Sequence, residues 1–205
     1  MPAWLVNEMP LGPNRAGPTR ANIKISQHEP YSRYLCQIKE EGMTTAIFPG
    51  TFDPATHGHL DLIQRSARIF DKVVVAIFDN PSKRQMFSLE ERLGLLRQIT
   101  EGIGNVEIVS FQRQLLVTLA KTHQASVIVR GVRSVADFEY EAQMTSMNRY
   151  MDEAIETVYL TPRVEYSFVA SSLVKEVASL GADVSALVPP VVLEALHKKL
   201  QSNKA

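Results

Sequence analysis

Gly50-Thr51-Phe52-Asp53-Pro54-Ala55-Thr56-His57-Gly58-His59 is the stretch that decides how this chain folds. The apolar run Thr45-Ala46-Ile47-Phe48 precedes it. After it, Leu60, Ile63, Ala67 and Phe70 recur at helical spacing. A buried strand, a Gly/Pro-containing turn and a helix N-terminus in that order form a corner where backbone N–H groups point outward. The helix dipole favours negative charge at the same corner. His59, in the first helical turn, adds a donor aimed at that spot. A βα turn with a surface histidine has the same local pattern, so the motif needs support from the rest of the chain.

Working outward, strands and helices alternate from Met43 onward. Strands are predicted at Thr45–Phe48, Val73–Phe78, Val106–Val109, Val127–Val129 and Thr157–Leu160. Several are near-continuous Val/Ile runs, the pattern of parallel strands buried on both faces. Helices are predicted near 58–70, 89–100, 114–123, 135–151, 171–180 and 190–200. Ser88-Leu89-Glu90-Glu91 has the form of a capping box opening the second helix. Gly181 fits the C′ position of the fifth helix, and Pro189-Pro190 fits the start of the sixth. The expected architecture is α/β, a doubly wound five-stranded parallel sheet with C-terminal helices. Residues 1–43, interrupted by Pro2, Pro10, Gly12, Pro13, Gly17, Pro18 and Pro30, have no periodicity. They are expected to form a disordered extension before a domain spanning 44–205.

Composition narrows the function classes. Of 205 residues, 45% are hydrophobic and 21% charged, ordinary globular usage. Lys plus Arg equals Asp plus Glu at 22 each, so no broad positive field exists to hold a nucleic-acid backbone. Any phosphate binding must be local. Cys36, the only cysteine, leaves no internal disulfide and fits a reducing compartment. No apolar run has the length of a membrane span, and no secretion signal is recognised. A cytoplasmic protein with neither nucleic-acid nor membrane partners is expected.

Ligands of such sheets bind beyond the carboxyl ends of the strands. There the chain places Gly50–His59, then Asp79-Asn80-Pro81-Ser82-Lys83-Arg84, then Phe111–Leu116. Arg130-Gly131-Val132-Arg133 and Thr161–Ser172 follow the last two strands. Basic or hydroxyl-bearing residues thus follow four of five strand ends in a chain without net charge. Each has a plainer reading: Lys83 and Arg84 as a solvated loop, Arg133 with Asp137 and Glu141 as a surface ion-pair row, Ser171 and Ser172 as helix caps. Their joint concentration at one edge favours a phosphate site. Gly131, between two arginines, is expected to let the backbone approach a ligand. No Cys/His cluster has metal-ligand spacing, and no GxSxG elbow or Walker loop occurs. A site rich in phosphate donors without a protein nucleophile suits direct transfer between two phosphorylated substrates.

Several of these segments in combination resemble one family. They are Phe48-Pro49-Gly50-Thr51-Phe52-Asp53-Pro54, Gly58-His59, Pro81-Ser82-Lys83, Phe87–Arg92, Arg130–Arg133, Asp137–Glu141 and Ser171–Val177. Over residues 44–200 the chain resembles the bacterial phosphopantetheine adenylyltransferases, nucleotidyltransferases that join ATP and 4′-phosphopantetheine in coenzyme A synthesis. The resemblance implies that Thr51 and His59 hold the ATP phosphates and stabilise charge at the α-phosphorus, with Lys83 as a further catalytic cation. It implies that Lys83 and Arg130 bind the acceptor phosphate, with Thr51 and Leu116 completing that site. Phe52, Gly131, Val132, Arg133, Glu141, Tyr166, Ser167, Phe168, Val169, Ala170, Ser171 and Ser172 would surround ATP. Mg²⁺ would ride on the ATP phosphates, with no protein metal ligand. A homohexamer and competition by coenzyme A are also implied.

Three positions depart from the family pattern. His57 stands where asparagine is common, Ala170 where serine is common, and the 111–116 loop is one residue longer with Gln114 in place of a frequent glycine. Two other functions stay open at this stage. One is a sister enzyme using nicotinamide mononucleotide or glycerol phosphate as acceptor. The other is a non-catalytic nucleotide sensor, which would have no need of His59, Lys83 and Arg130.

Overall fold

The computed structural model describes residues 43–79 and 85–202. The extension expected over 1–43, apart from Met43, lies outside the described residues, as do Lys83 and Arg84. Strands β1 (Thr45–Gly50), β2 (Lys72–Phe78), β3 (Val106–Phe111), β4 (Ala125–Gly131) and β5 (Glu156–Leu160) form one sheet. Their order is β3-β2-β1-β4-β5, and every neighbouring pair is parallel. Helices α1 (His57–Ile69), α2 (Leu89–Ile99), α3 (Leu116–Thr122) and α4 (Val135–Met151) fill the crossovers. Helices α5 (Ser171–Ser179) and α6 (Pro190–Ser202) follow β5. This is the doubly wound fold expected, with strand and helix ends displaced by a few residues.

Residue alternation builds the core. In β2, Val73, Val75 and Ile77 face one side with Leu62, Ile63 and Leu96 from α1 and α2. Val74 and Ala76 face the other side with Val117, Leu119 and Ala120 from α3. Successive strand side chains point to opposite faces, so a Val-rich run serves both cores. A third cluster joins α5 and α6 to α2 through Phe87, Leu95, Val174, Val188, Val192 and Leu196. That cluster anchors the C-terminal helices beside the carboxyl edge.

Helix ends follow the sequence signals. Ser88 Oγ accepts from Glu91 N–H at 3.2 Å, and Glu91 Oε2 accepts from Ser88 N–H at 2.7 Å. At the end of α5, Gly181 has φ +89°, a left-handed conformation costly for other residues. Its N–H donates to Ala178 O and the N–H of Ala182 to Val177 O, the paired bonds of a Schellman turn. Helix α3 starts at Leu116 rather than 114, because the chain turns at Arg113 with φ +47°. Among the described residues no helix is long and apolar enough to cross a membrane.

Helix α2 leads directly out of the carboxyl edge, so its start matters for the site. We expect Ser88→Ala to remove one cap acceptor and lower stability by about 1 kcal/mol. Chemical denaturation should show an earlier midpoint with an unchanged slope. A midpoint equal to wild type would show that the cap contributes nothing there.

Candidate nucleotide site at the carboxyl edge

β1 and β4 are neighbours, yet the chain leaves them in opposite directions along the sheet, to β2 on one side and β5 on the other. A crevice opens at such a reversal. A cavity of about 690 Å³ occupies it, within the range of small-molecule sites. Its walls come from the β1 end and following turn, the β4 end, α4, the segment after β5 and the start of α5.

The turn after β1 is built around a capping box in which histidine takes the place usual for glutamate. Thr56 is the N-cap of α1, and its Oγ1 accepts from His59 N–H at 3.3 Å. In return His59 Nδ1 accepts from Thr56 N–H at 3.1 Å, with Thr56 Oγ1 also 3.0 Å away. Because Nδ1 is an acceptor, the neutral ring carries its proton on Nε2. Burial, reinforced by the charge of Arg133, pushes the His59 pKa down to about 4. At neutral pH the ring is therefore a fixed neutral N–H donor. Phe52 adopts φ +50°, and its ring sits edge-on to His59 at 5.0 Å between centroids. The same ring covers Gly50, where a Cβ would lie 2.8 Å from a Phe52 ring carbon. Gly50 is thus required by the fold of this turn.

At the β4 end, Arg130 is held on both sides. Its Nε and Nη2 donate to the two Glu141 oxygens at 2.6 and 2.5 Å, and Nη1 donates to Pro49 O at 3.2 Å. Three of its five N–H groups are engaged among the described residues, and the fork is fixed at the cavity wall. Gly131 lies against α1: a Cβ there would stand 2.6 Å from Leu62 Cδ1. A side chain there would have to displace the Leu62 methyl, so Gly131 is packed closely against α1 as well as lining the cavity. Arg133 pairs with Asp137 at 3.0 Å and donates to Val169 O at 3.1 Å, so it bridges α4 and the segment before α5. The row expected of Arg133, Asp137 and Glu141 is split, since Glu141 serves Arg130.

Ser171 and Ser172 do not cap α5. The N-cap is Ala170, which has no side-chain acceptor. Ser171 Oγ donates instead to Pro54 O at 2.8 Å, tying α5 to the turn after β1. Ala170, Ser171 and Ser172 line the cavity, so the helix start faces it with no side-chain acceptor at its first turn. Tyr166 also lines the cavity, and His57 stacks on its ring at 5.6 Å. His57 N–H donates to Leu187 O. Its imidazole is outside the cavity lining, so this second histidine supports Tyr166 rather than facing a ligand.

Of the residues expected in the site, the cavity gathers Thr51, Phe52, His59, Arg130, Gly131, Arg133, Glu141, Tyr166, Val169, Ala170, Ser171 and Ser172. Val132, Ser167 and Phe168 lie beside it in the chain but outside its lining. Val132 is buried with its N–H donating to Leu160 O, Ser167 Oγ donates to Val164 O, and Phe168 is exposed. Leu116 begins α3 and packs partly buried on the second core cluster. Lys83 lies outside the described residues.

Three charged residues hold these loops in place and had been given no role from the sequence. Arg92 is fully buried and donates to Ser88 O, Thr51 O, Phe78 O, Asp79 Oδ1 and Gln85 Oε1. It therefore joins the β1 and β2 ends. Asp61, on α1, pairs with Arg163 at 3.1 Å and accepts from Arg163 N–H, fixing the segment after β5. Asp53 accepts from Met86 and Phe87 N–H and from Lys175 Nζ. The available signal was spacing: Arg92 interrupts the apolar α2 stripe between Leu89 and Leu96, and Lys175 lies one turn beyond Ser171.

A doubly wound sheet with a phosphate-suited turn at its reversal point defines a nucleotide-binding α/β protein. The cytidylyltransferase-like family model matches residues 47–177, more than half of the chain. The chain belongs to that family of nucleotidyltransferases. A solved structure from Vibrio parahaemolyticus assigned as a nicotinate-nucleotide adenylyltransferase is similar at 19% identity, with a TM-score of 0.59. That match covers 78% of this chain and 95% of the other, and it supports the fold. The lipopolysaccharide core biosynthesis protein from Thermoplasma volcanium GSS1 matches at 19% identity and a TM-score of 0.48, covering 59% of this chain and 98% of the other.

The state of His59 is directly measurable. Its folded pKa lies below that of an unfolded histidine, near 6.5. The unfolded chain therefore binds more protons between about 4 and 6.5, and the His59 contribution to stability grows as pH rises through that window. We expect ¹⁵N–¹H NMR to show an Nε2–H tautomer that stays neutral at pH 6. Titration near 6.5 would show that burial does not control the ring.

Proposed function

We propose that this protein transfers an adenylyl group from ATP to 4′-phosphopantetheine, giving 3′-dephospho-coenzyme A and pyrophosphate. The observation that carries the transfer chemistry is the cavity itself. The His59 N–H donor, the uncapped start of α5 and the fixed Arg130 and Arg133 converge on one space. Family membership supports nucleotidyl transfer. The choice of acceptor rests on the combined motifs of the sequence, including Lys83.

In this reading a phosphate oxygen of the acceptor attacks the α-phosphorus in line. A new P–O bond forms as the α–β bridging P–O bond breaks, and its electron pair leaves with pyrophosphate. Both substrates bring their own reacting oxygens, so no covalent enzyme intermediate is needed. His59 Nε2–H donates to the equatorial oxygens as charge develops there. Being neutral and already oriented, it needs no reorganisation at the moment of transfer. Thr51 sits beside it, its carbonyl fixed by Arg92. Arg130 and Lys83 receive the acceptor phosphate, with Leu116 at the edge of that subsite. Phe52, Tyr166 and the stretch through Ser172 enclose the nucleotide, and Gly131, Val132, Arg133 and Glu141 complete its surroundings.

Mg²⁺ belongs to the substrate in this scheme. The described residues form no cluster able to hold a metal ion. The two carboxylates that line the cavity among the described residues are already paired, Asp53 with Lys175 and Glu141 with Arg130. In this reading the ion rides on the ATP phosphates. A homo-oligomer, a hexamer by resemblance, is supported by α4, which exposes Val135, Tyr140, Met147 and Tyr150 and buries only Asn148. Such apolar exposure is characteristic of association surfaces. A cytoplasmic location and competition by coenzyme A complete the proposal.

The test is pyrophosphate release from MgATP with 4′-phosphopantetheine, nicotinamide mononucleotide, nicotinate mononucleotide or glycerol phosphate. Release with 4′-phosphopantetheine alone supports the reading. Release with another acceptor alone moves the protein to a sister enzyme, and ATP binding without release with any acceptor favours a sensor. We further expect His59→Ala to lower turnover about 10²–10³-fold, the scale for removing one transition-state donor. Near-normal turnover would contradict the role given to His59.

A further inference from the structure

We propose that Asp53 is a positioning residue, a buried carboxylate that sets three walls of the nucleotide site at fixed distances from one another; the catalytic part of this inference rests on the transfer reading above. Asp53 is 4% exposed and sits in the turn after β1. Its Oδ1 accepts from Phe87 N–H at 2.9 Å, and its Oδ2 accepts from Met86 N–H at 3.1 Å and from Lys175 Nζ at 2.5 Å. The donors come from two remote segments: the entry to α2, and α5. A charge this buried is tolerated only when fully compensated, so all three bonds are needed together.

What the three bonds hold makes the role more than structural. Thr51 and Phe52 precede Asp53, Gln85 precedes Met86, and Ser171 lies one helical turn before Lys175. All four of these neighbours line the cavity. The Ser171 bond to Pro54 O runs beside the Asp53–Lys175 pair and repeats the tie between turn and helix. Lys175 itself reaches the cavity with a quarter of its side chain exposed. A reaction catalysed by placement is sensitive to such ties, because a misplacement of about 1 Å can cost roughly 100-fold. Loosening Asp53 would let the phosphate turn and the α5 start move apart while each element stayed folded.

The full-length chain, with Asp53→Asn, Lys175→Met and Lys175→Arg variants, tests this by amide hydrogen exchange and by kinetics. Asp53→Asn keeps the shape and one acceptor oxygen. We expect about 10-fold or faster exchange at Met86 and Phe87 in Asp53→Asn. Lys175→Met should change the same two amides in the same direction, although Lys175 is remote in sequence and donates to neither. In pyrophosphate release, kcat should fall about 10–100-fold with KM for ATP within about 3-fold, and Lys175→Arg should recover most of kcat. Unchanged exchange at Met86 and Phe87 in both variants would overturn the coupling. A kcat loss that merely tracks the folded fraction, read by thermal unfolding, would overturn the positioning role. If the wild type releases no pyrophosphate with any acceptor, the transfer reading fails, and the exchange result still decides whether Asp53 couples the walls.

Discussion

The reversal of chain direction between β1 and β4 is the constraint from which the rest of the structure follows. Two parallel strands that pair with each other, but lead to opposite sides of the sheet, leave their carboxyl ends uncovered by any crossover. Into that gap project the turn carrying His59 and the strand end carrying Arg130. Helix α5 closes it from the side, held there by an apolar cluster shared with α2 and α6. Without the reversal these groups would be separated by helices packed on the sheet.

The electrostatics explain how a chain with no net charge can offer a polyanion site. Among the described residues, four cations near the cavity are paired with carboxylates: Arg130 with Glu141, Arg133 with Asp137, Lys175 with Asp53, and buried Arg92 with Asp79. The pairs hold their cations in one orientation and cancel the field beyond the site. What the cavity offers an anion is therefore local and directional: the remaining arginine N–H groups, the neutral His59 ring and the start of α5. Such donors are in place before substrate arrives, which is the condition under which hydrogen bonds contribute most to transition-state stabilisation. Protonated His59 would be a stronger cation, but its burial beside Arg133 keeps it neutral.

Much of this was legible in the sequence because local signals and tertiary constraints agreed. Val-rich β2 needed apolar partners on both faces, and it has them. Ser88–Glu91 and Gly181 read correctly because cap geometry is decided within a few residues. The site was legible as an edge: among the described residues, those following β1, β4 and β5 line one cavity, as the rule that ligands bind beyond the carboxyl ends of the strands leads one to expect. Pairing across the fold was not legible. Glu141 looked like a partner of Arg133 by helical spacing, yet Arg130 claims it through tertiary geometry. Gly131 lines the cavity, and its close contact with Leu62, distant in sequence, carried no local signal. Asp53, Asp61 and Arg92 carry no local pattern that reveals their long-range partners.

In the proposed function the polyphosphate of a nucleotide sits between the turn after β1 and the start of α5. A crystal structure of the protein with a non-hydrolysable ATP analogue tests it most directly. The triphosphate is expected within hydrogen-bonding distance of His59 Nε2 and of the first backbone N–H groups of α5. A triphosphate bound elsewhere, with His59 Nε2 facing no phosphate oxygen, would contradict it.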